Sequence, residues 1–434
     1  MCENIVPMHR MNTASYFSGL VVLALLLGGV VLRSRFPKVP IWSIMILSTS
    51  ITLLLGLVGM DEAIQLIDLD VIMLLIGMFA LVGMAEHAGL LDFISSYFLS
   101  KVRNTRTLLI TASLLFGFMS AFFVNDTVAL MGPPIAVLIG KSLGGRYEAS
   151  ILLLCLSITI GSVMTPIGNP QNILIALQSG MKSPFIEFLT HLAAPTILSL
   201  IITPLIITKL YKIPKEDVVV PIDPWETVRS RKEFYLASFG GGVTVAALIV
   251  NDILAALGQP HITSRGLIPF VSAAALWIFT DTPREILSRV DFGTILFFLG
   301  MFITVEGVWR SQVLSPLFSM MNSGNPAGPM GLLQLTFISL VMSQLISNVP
   351  FAKLAIQQLR EMGVGGHDVE VWLTLATSST LAGGITVLGA ASNVIVLEVL
   401  ESRYGQTIPY LRFAKVGLIV TAVSLCIYLP FFLA

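Results

Sequence analysis

The chain has 434 residues, 55% hydrophobic and only 12% charged, where a soluble domain carries about 25% charged residues. Its 25 basic and 25 acidic residues cancel and form no basic tract, which argues against a nucleic-acid partner. Apolar runs of roughly 20 residues, the length needed to cross a bilayer core as helix, recur from end to end; they are continuous rather than alternating, so the chain reads as an all-α polytopic membrane protein and not as a barrel.

Apolar segments are predicted at 16–32, 40–59, 67–86, 107–140, 149–180 and 186–208. The first, SGLVVLALLLGGVVL, has its basic residues after it (RSRFPK) and no small-residue cleavage site, so it reads as a retained helix rather than a signal peptide. The longest polar run, KLYKIPKEDVVVPIDPWETVRSRKEF, follows. Apolar segments resume at 234–251, 266–280, 291–309, 330–358, 371–400 and 413–433. The expected organisation is a first repeat over 1–210, a cytoplasmic linker over 211–233 and a second repeat over 234–434. Cys2, Cys155 and Cys426 are scattered and give no disulfide framework.

The halves repeat in detail. DLDVIMLLIGMF begins at Asp68 and DFGTILFFLGMF at Asp291, an offset of 223. Asn125 and Asn348 share that offset, in FFVNDTVAL and LISNVPFAK. TPIGNPQNILI from Thr165 matches TVLGAASNVIV from Thr386 at an offset of 221. General apolarity accounts for matched Leu and Ile but not for matched Asn, Thr and Gly.

Basic residues set orientation, because cytoplasmic loops carry an excess of Lys and Arg. If segment four of each half is a re-entrant hairpin, each half makes five crossings and the second half is inverted. With the linker in the cytoplasm, 19 of the 25 basic residues fall on the cytoplasmic side, among them Arg33, Arg35, Lys38, Arg103, Arg229 and Lys415. Arg10, Lys182, Arg265, Arg310 and Arg360 fall outside, and both termini are expected to be external. Two full crossings per hairpin would give the same loop sides, so charge bias supports inversion without deciding re-entry.

Polar motifs interrupt the apolar segments at four matched places. NDTVALMGPP and SNVP turn the two hairpins, while TPIGNPQN and TVLGAASN break the two fifth segments. Gly and Pro open the helical hydrogen-bond ladder, and freed backbone at membrane depth must be buried in protein or line a wet cavity. Helix N-termini at such breaks hold anions and freed carbonyls hold cations. Asn125, Asp126 and Thr127 are therefore expected at a hairpin tip facing a central cavity, with Asp126 binding Na⁺ or carrying a proton. The competing reading is that Asn125 and Asp126 only cap the second hairpin arm. Lys353, one turn past Asn348, either attracts an anion, pairs with Asp126 or replaces a cation, or else snorkels to the surface. Glu86, His87 and Glu306 end their helices and read as interfacial. Enzyme signatures such as His-Glu-x-x-His and Gly-x-Ser-x-Gly are absent, and IGKS at 139–142 fails the phosphate-loop pattern at Ile135.

At VNDTVALMGPPI, TPIGNPQNILI, SNVPFAKLAI and GAASNVIVLE the chain resembles the ion transporter superfamily. That group includes ArsB-type arsenite permeases, NhaD-type sodium/proton antiporters and divalent anion:sodium symporters. The likeness runs from about residue 16 to 430 and is strongest to bacterial and archaeal anion permeases. It implies two inverted repeats, each of about five transmembrane helices (one discontinuous) plus a re-entrant helical hairpin. It also implies a homodimer with a scaffold domain at the interface and a mobile transport domain. In the symporters Ser-Asn-Thr at both tips binds sodium and substrate carboxylates; here the tips read Val-Asn-Asp-Thr and Ser-Asn-Val-Pro. Asn125, Thr127, Ser347 and Asn348 carry over, while Asp126 and Val349 depart from the pattern. Thr165, Gly168, Asn169, Asn172, Thr386, Gly389, Ser392 and Asn393 carry over as cavity lining.

The expected function is secondary active transport of a small inorganic or carboxylate anion across the inner membrane, coupled to Na⁺ or H⁺, by alternating access and without a cofactor. Sodium/proton antiport, arsenite efflux and a passive anion channel are the alternatives. The expected substrate-binding residues are Asn125, Thr127, Asn172, Ser347, Asn348, Lys353, Ser392 and Asn393. The expected ion-binding residues are Asn125, Asp126, Thr165, Gly168, Asn169, Asn348, Thr386 and Gly389, with Na⁺ at Asn125, Asp126 and Gly168.

Overall fold

A computed structural model describes residues 13–36, 39–218, 223–318 and 325–433. Cys2, Arg10 and Lys38, and the side chains of Arg33 and Arg35, lie outside what it describes. Among the described residues regular structure is helical, with one isolated backbone bridge between Asn104 and Asp217.

The first ten helices are α1 (Thr13–Arg35), α2 (Ile41–Leu54), α3 (Met60–Ala63), α4 (Leu69–Ala88), α5 (Leu90–Leu99), α6 (Thr105–Phe123), α7 (Asn125–Ser142), α8 (Tyr147–Gly161), α9 (Pro170–Gln178) and α10 (Pro184–Leu210). The next ten are α11 (Arg231–Ala256), α12 (Leu267–Phe279), α13 (Pro283–Leu287), α14 (Phe292–Arg310), α15 (Ser315–Phe318), α16 (Pro329–Ile346), α17 (Asn348–Glu361), α18 (Val369–Ala382), α19 (Ala391–Tyr404) and α20 (Tyr410–Leu433). Long, short and interrupted helices follow in the same order in both series. Among the described residues, eight helices are long and apolar enough to cross a membrane: α4, α6, α8 with its 3₁₀ extension to Met164, α10, α11, α14, α16 and α20. The chain is a multi-pass, all-α membrane protein.

Local chemistry sets the helix starts. Asn104 caps α6 by accepting from the Thr107 amide at 3.0 Å. Asn169 caps α9 by accepting from the Asn172 amide at 2.9 Å, and Pro170 then occupies the first helical position, where no donor is needed. Ser230 caps α11 three residues before Glu233.

The chain divides into two compact units that cut across the sequence halves. One comprises Met1–Asp68 with Phe292–Ser323, the other Leu69–Asp291 with Gly324–Ala434. In the first unit α2 packs on α14, and a Cβ at Gly300 would meet Thr49 Oγ1 at 2.6 Å. Thr49 Oγ1 sits 3.0 Å from the Gly300 carbonyl and 2.9 Å from Thr304 Oγ1. Arg310 joins Glu306 at 2.7 Å and Glu62 at 2.6 Å.

In the second unit α4 packs on α12, where a Cβ at Gly77 would meet the Phe270 amide at 2.4 Å. The repeated Gly-Met-Phe thus marks a tight helix crossing in each unit, as small residues do between membrane helices. Asp252 is fully buried, paired with Arg265 at 2.9 Å and accepting from the Phe185 amide at 2.6 Å, so it fastens the start of α10 to α11. Glu86, expected at an interface, pairs with Arg289 at 2.7 Å, and His87 Nε2 lies 3.1 Å from Thr282 Oγ1. The linker is not a loose tether. The Val218 amide donates to the Arg103 carbonyl at 3.0 Å, the Arg229 amide to the Ala88 carbonyl at 3.2 Å, and Trp225 packs on Phe93 with ring centroids 4.8 Å apart.

Candidate functional site

Each predicted hairpin is a pair of helices joined through one residue in a backbone conformation that L-residues avoid. Val124 has φ 61° and ψ 132°, and Ser347 has φ 72° and ψ 156°. These two, 223 positions apart, are among four described non-glycine residues with positive φ. Such geometry stores about 1–3 kcal/mol per residue and persists only where surroundings enforce it. Neither Val124 nor Ser347 supplies a side-chain cap to the helix it starts. Asn125 and Asp126 lie inside the first turn of α7, one and two residues past the cap position, which is Val124. The acidic side chain of Asp126 in that turn suits the positive end of the helix dipole.

The first tip is joined to the first break. The Asn125 amide donates to the Gly168 carbonyl at 2.9 Å, and Thr165 Oγ1 donates to the Ala121 carbonyl. Gly168 allows this fold-back, because a Cβ there would come within 2.3 Å of the Ser162 carbonyl oxygen. Asn172, fully buried, donates through Nδ2 to the Ser162 and Thr165 carbonyls, both at 3.0 Å. In the second break Asn393, also fully buried, donates to the Gly383 and Thr386 carbonyls at 2.8 and 3.2 Å.

The two breaks differ at their helix starts. Asn169 caps α9, whereas Ala390 gives α19 no side-chain cap. Three helix N-termini, those of α7, α17 and α19, therefore carry amides without a side-chain acceptor at the cap, the arrangement that receives an anion. Helix packing crosses the halves: α7 lies against α19, and α17 lies against α9.

Oxygen atoms remain unpaired in this region. Asn125 Oδ1, Asn348 Oδ1, Asn393 Oδ1 and Ser392 Oγ are buried and meet no protein donor. Leaving a buried polar group unpaired costs about 1–3 kcal/mol, so unpaired oxygens at the starts of α7, α17 and α19 fit a ligand better than packing. Their chemistry, neutral oxygen, fits a hard monovalent cation. Asp126 and Thr127 are half-buried beside Asn125, and Ser347 and Thr386 are half-buried on the second side.

Two residues that sequence reasoning missed join the parts. Thr380 Oγ1 receives Asn169 Nδ2 at 3.1 Å and Gln171 Nε2 at 3.2 Å, and itself donates to Asn172 Oδ1 at 3.3 Å. It ties the first break to α18. Gln344 donates to the Ala382 carbonyl at 2.5 Å and accepts from Thr386 Oγ1 at 2.7 Å, tying the second hairpin to the second break. The Asn348 amide group lies beside Gly383, where an added Cβ would meet it at 3.3 Å. Polar residues inside apolar segments were the available signal for both. Lys353 is half-buried and donates to Gln178 Oε1 at 2.8 Å at the end of α9, which sets it on the α9–α17 seam.

The model of the citrate transporter family matches residues 19–377, more than three quarters of the chain. The chain belongs to the citrate transporter family. Other chains similar to this family member are also transporters by name. An uncharacterised transporter of Mycobacterium tuberculosis is 26% identical over 388 residues, covering 85% of this chain and 88% of the relative. A silicon efflux transporter of Oryza sativa subsp. japonica is 24% identical over 431 residues, covering 84% and 87%. The crystal structure of the YdaH transporter of Alcanivorax borkumensis shares the fold, with TM-score 0.55, 13% identity and 96% of each chain covered.

Proposed function

We propose that the protein is a secondary active transporter of a small anion, coupled to Na⁺ or H⁺ and working by alternating access. The observation that carries this reading is that each strained tip is joined to its own half's broken helix, the first through Asn125 and Gly168 and the second through Gln344 and Thr386, and that buried oxygens of Asn125, Asn348, Ser392 and Asn393 lack a protein partner. In this reading the two series of helices are inverted repeats, the hairpins are re-entrant, and the protein is a homodimer in the inner membrane with both termini external. Asn125, Asp126, Thr165, Gly168 and Asn169 hold the cation on the first side, with Asn348, Thr386 and Gly389 on the second. Asn125, Thr127, Ser347, Asn348 and Ser392 line the anion path, and the uncapped starts of α7, α17 and α19 attract its charge. Asn172 and Asn393, expected in the anion site, donate through their amide nitrogens to backbone carbonyls and shape the breaks instead. Lys353 supports the anion site from the α9–α17 seam.

The family description favours a carboxylate such as citrate. The silicon efflux relative supports a second reading, efflux of a weak inorganic oxyacid. Ligand-induced stabilisation separates them, because a ligand that binds only the folded state raises thermal stability. Purified protein is melted with citrate, succinate, sulfate, phosphate, arsenite or silicic acid, with and without Na⁺. The reading expects one class to raise Tm in wild type and not in Asn125→Ala or Asn348→Ala. A uniform response, or an unchanged response in both variants, contradicts it.

A further inference from the structure

Ser and Thr hydroxyls within a helix usually donate to the carbonyl four residues back. On α16 and α18, Thr336, Ser378 and Ser379 do so, to Leu332, Thr374 and Leu375 at 2.8, 2.6 and 2.6 Å. Of the remaining five, Thr380 donates to Asn172 instead. The other four, Ser339, Ser343, Thr374 and Thr377, are each at most 1% exposed, and their hydroxyl oxygens meet no protein partner. Spacings of four on α16 and three on α18 set each pair on one helix face. On α16 that face is the buried one, since Phe337, Val341 and Leu345 are exposed, and α18 packs against α16.

The stripe leads to the second tip. One further step of four from Ser343 reaches Ser347, so the α16 hydroxyls extend about 12 Å from it at the helical rise. The same end of α16 is held to the end of α18 by Gln344. Dry burial does not account for the pattern, because buried hydroxyls in native interiors nearly always find a partner. The first series lacks it: the positions 223 before Ser339 and 221 before Thr374 and Thr377 are Phe116, Leu153 and Leu156. Ser120, which corresponds to Ser343, donates to the Ile158 carbonyl at 2.8 Å. No basic residue lies on α16 or α18, and exposed Glu370 stands in the first turn of α18, at the far end from the tip. Hydroxyls can donate or accept; with no basic residue on either helix and a carboxylate at the far end, this file suits a hydrated cation better than an anion.

We propose that Ser339, Ser343, Thr374 and Thr377 line a hydrated file between α16 and α18 that carries the coupling cation between one membrane face and the tip at Ser347 and Asn348. The cation's identity as the coupling ion rests on the transport reading above; the hydration does not. The test places Ser343→Cys or Thr377→Cys in a chain whose native cysteines are replaced (Cys2→Ser, Cys155→Ala, Cys426→Ala). Each is reconstituted and exposed to the small cationic thiol reagent 2-aminoethyl methanethiosulfonate. Expected is modification about tenfold faster than at Leu153→Cys and Leu156→Cys, since thiol reactivity follows water access. Modification of both at the control rate, in variants that elute as folded protein, overturns the file. A second readout needs no cysteine. Thr377→Val raises the cation concentration for half-maximal transport about threefold, and Thr377→Ser restores it; an unchanged value in Thr377→Val overturns the cation role.

Discussion

Asn172 and Asn393, 221 residues apart, hold the same pair of backbone positions: each is buried and donates to the carbonyls ten and seven residues before it. The amide side chain replaces the ladder bonds that each break gives up. Asn172→Ala and Asn393→Ala each remove two side-chain hydrogen bonds to carbonyls, worth about 0.5–1.5 kcal/mol apiece, while Ser162, Thr165 and Thr386 keep a bond from Asn169, Gly168 and Gly389. Both are expected to lower Tm, Asn172→Ala more, because Asn172 also accepts from Thr380. Equal melting of wild type and both variants would contradict this.

Asp126→Asn keeps the shape of the first turn of α7 and removes its charge. Coupled uptake in proteoliposomes is expected to fall about tenfold or more, as for other functional intramembrane carboxylates, with elution and Tm unchanged. Full coupled activity would remove Asp126 from the mechanism.

Ser347→Gly separates strain from function. Glycine relieves a conformation costing about 1–3 kcal/mol and adds chain freedom worth about 0.5–1 kcal/mol. Tm is expected to rise by a few degrees while transport drops through loss of the hydroxyl. A lower Tm with intact transport would show that Ser347 is not held under strain.

Gly168→Ala drives a methyl to 2.3 Å from the Ser162 carbonyl oxygen, whereas Gly241→Ala meets nothing within 4 Å. The first is expected to abolish transport and reduce yield of folded protein. The second is expected to be silent in transport and neutral or slightly stabilising. Comparable behaviour of the two would contradict the packing of the first break.

At the edge of the first unit, the hydrogen bond from Arg310 holds the Glu62 carboxyl below its ordinary 4.5. The pair's stabilisation is complete above that unfolded value and is lost as pH falls through the lower folded value. The Tm difference between wild type and Glu62→Gln is expected to shrink below pH 4.5 and, the pair being exposed, to be small and to weaken with salt. A difference that grows on acidification would reverse the assignment.

The breaks were legible in the sequence because Asn, Gly and Pro interrupt apolar segments at matched offsets, and the tips because Asn125 and Asn348 match. The expectation that NDTVALMGPP turns the first hairpin is corrected, since all of it, with Pro133 and Pro134, lies inside α7 and the turn falls at Val124. The short helices α3, α5, α13 and α15 were not anticipated, since pieces of four to ten residues carry little periodic signal. The linker read as plain polar chain, yet Trp225, Arg229 and Val218 fasten it to the helices, contacts that arise only in three dimensions. Thr380 and Gln344 were missed for the same reason: each is one polar residue among many until packing brings a break to it. The Asp252–Arg265 pair escaped notice because a carboxylate near a helix end looks interfacial in sequence, although here it is fully buried.

The central claim, cation-coupled anion transport through the two tips, is tested most directly in proteoliposomes. Currents on a solid-supported membrane are recorded during jumps of citrate, succinate, sulfate and phosphate, with tracer uptake for arsenite and silicic acid, which are mainly neutral near pH 7. Na⁺ and pH gradients are imposed separately. The account predicts a saturable signal for one substrate class that requires one of the two gradients and vanishes in Asp126→Asn. Flux that needs no gradient and far exceeds carrier rates would contradict it in favour of a channel, and a Na⁺-driven pH change with no substrate signal would contradict it in favour of an antiporter.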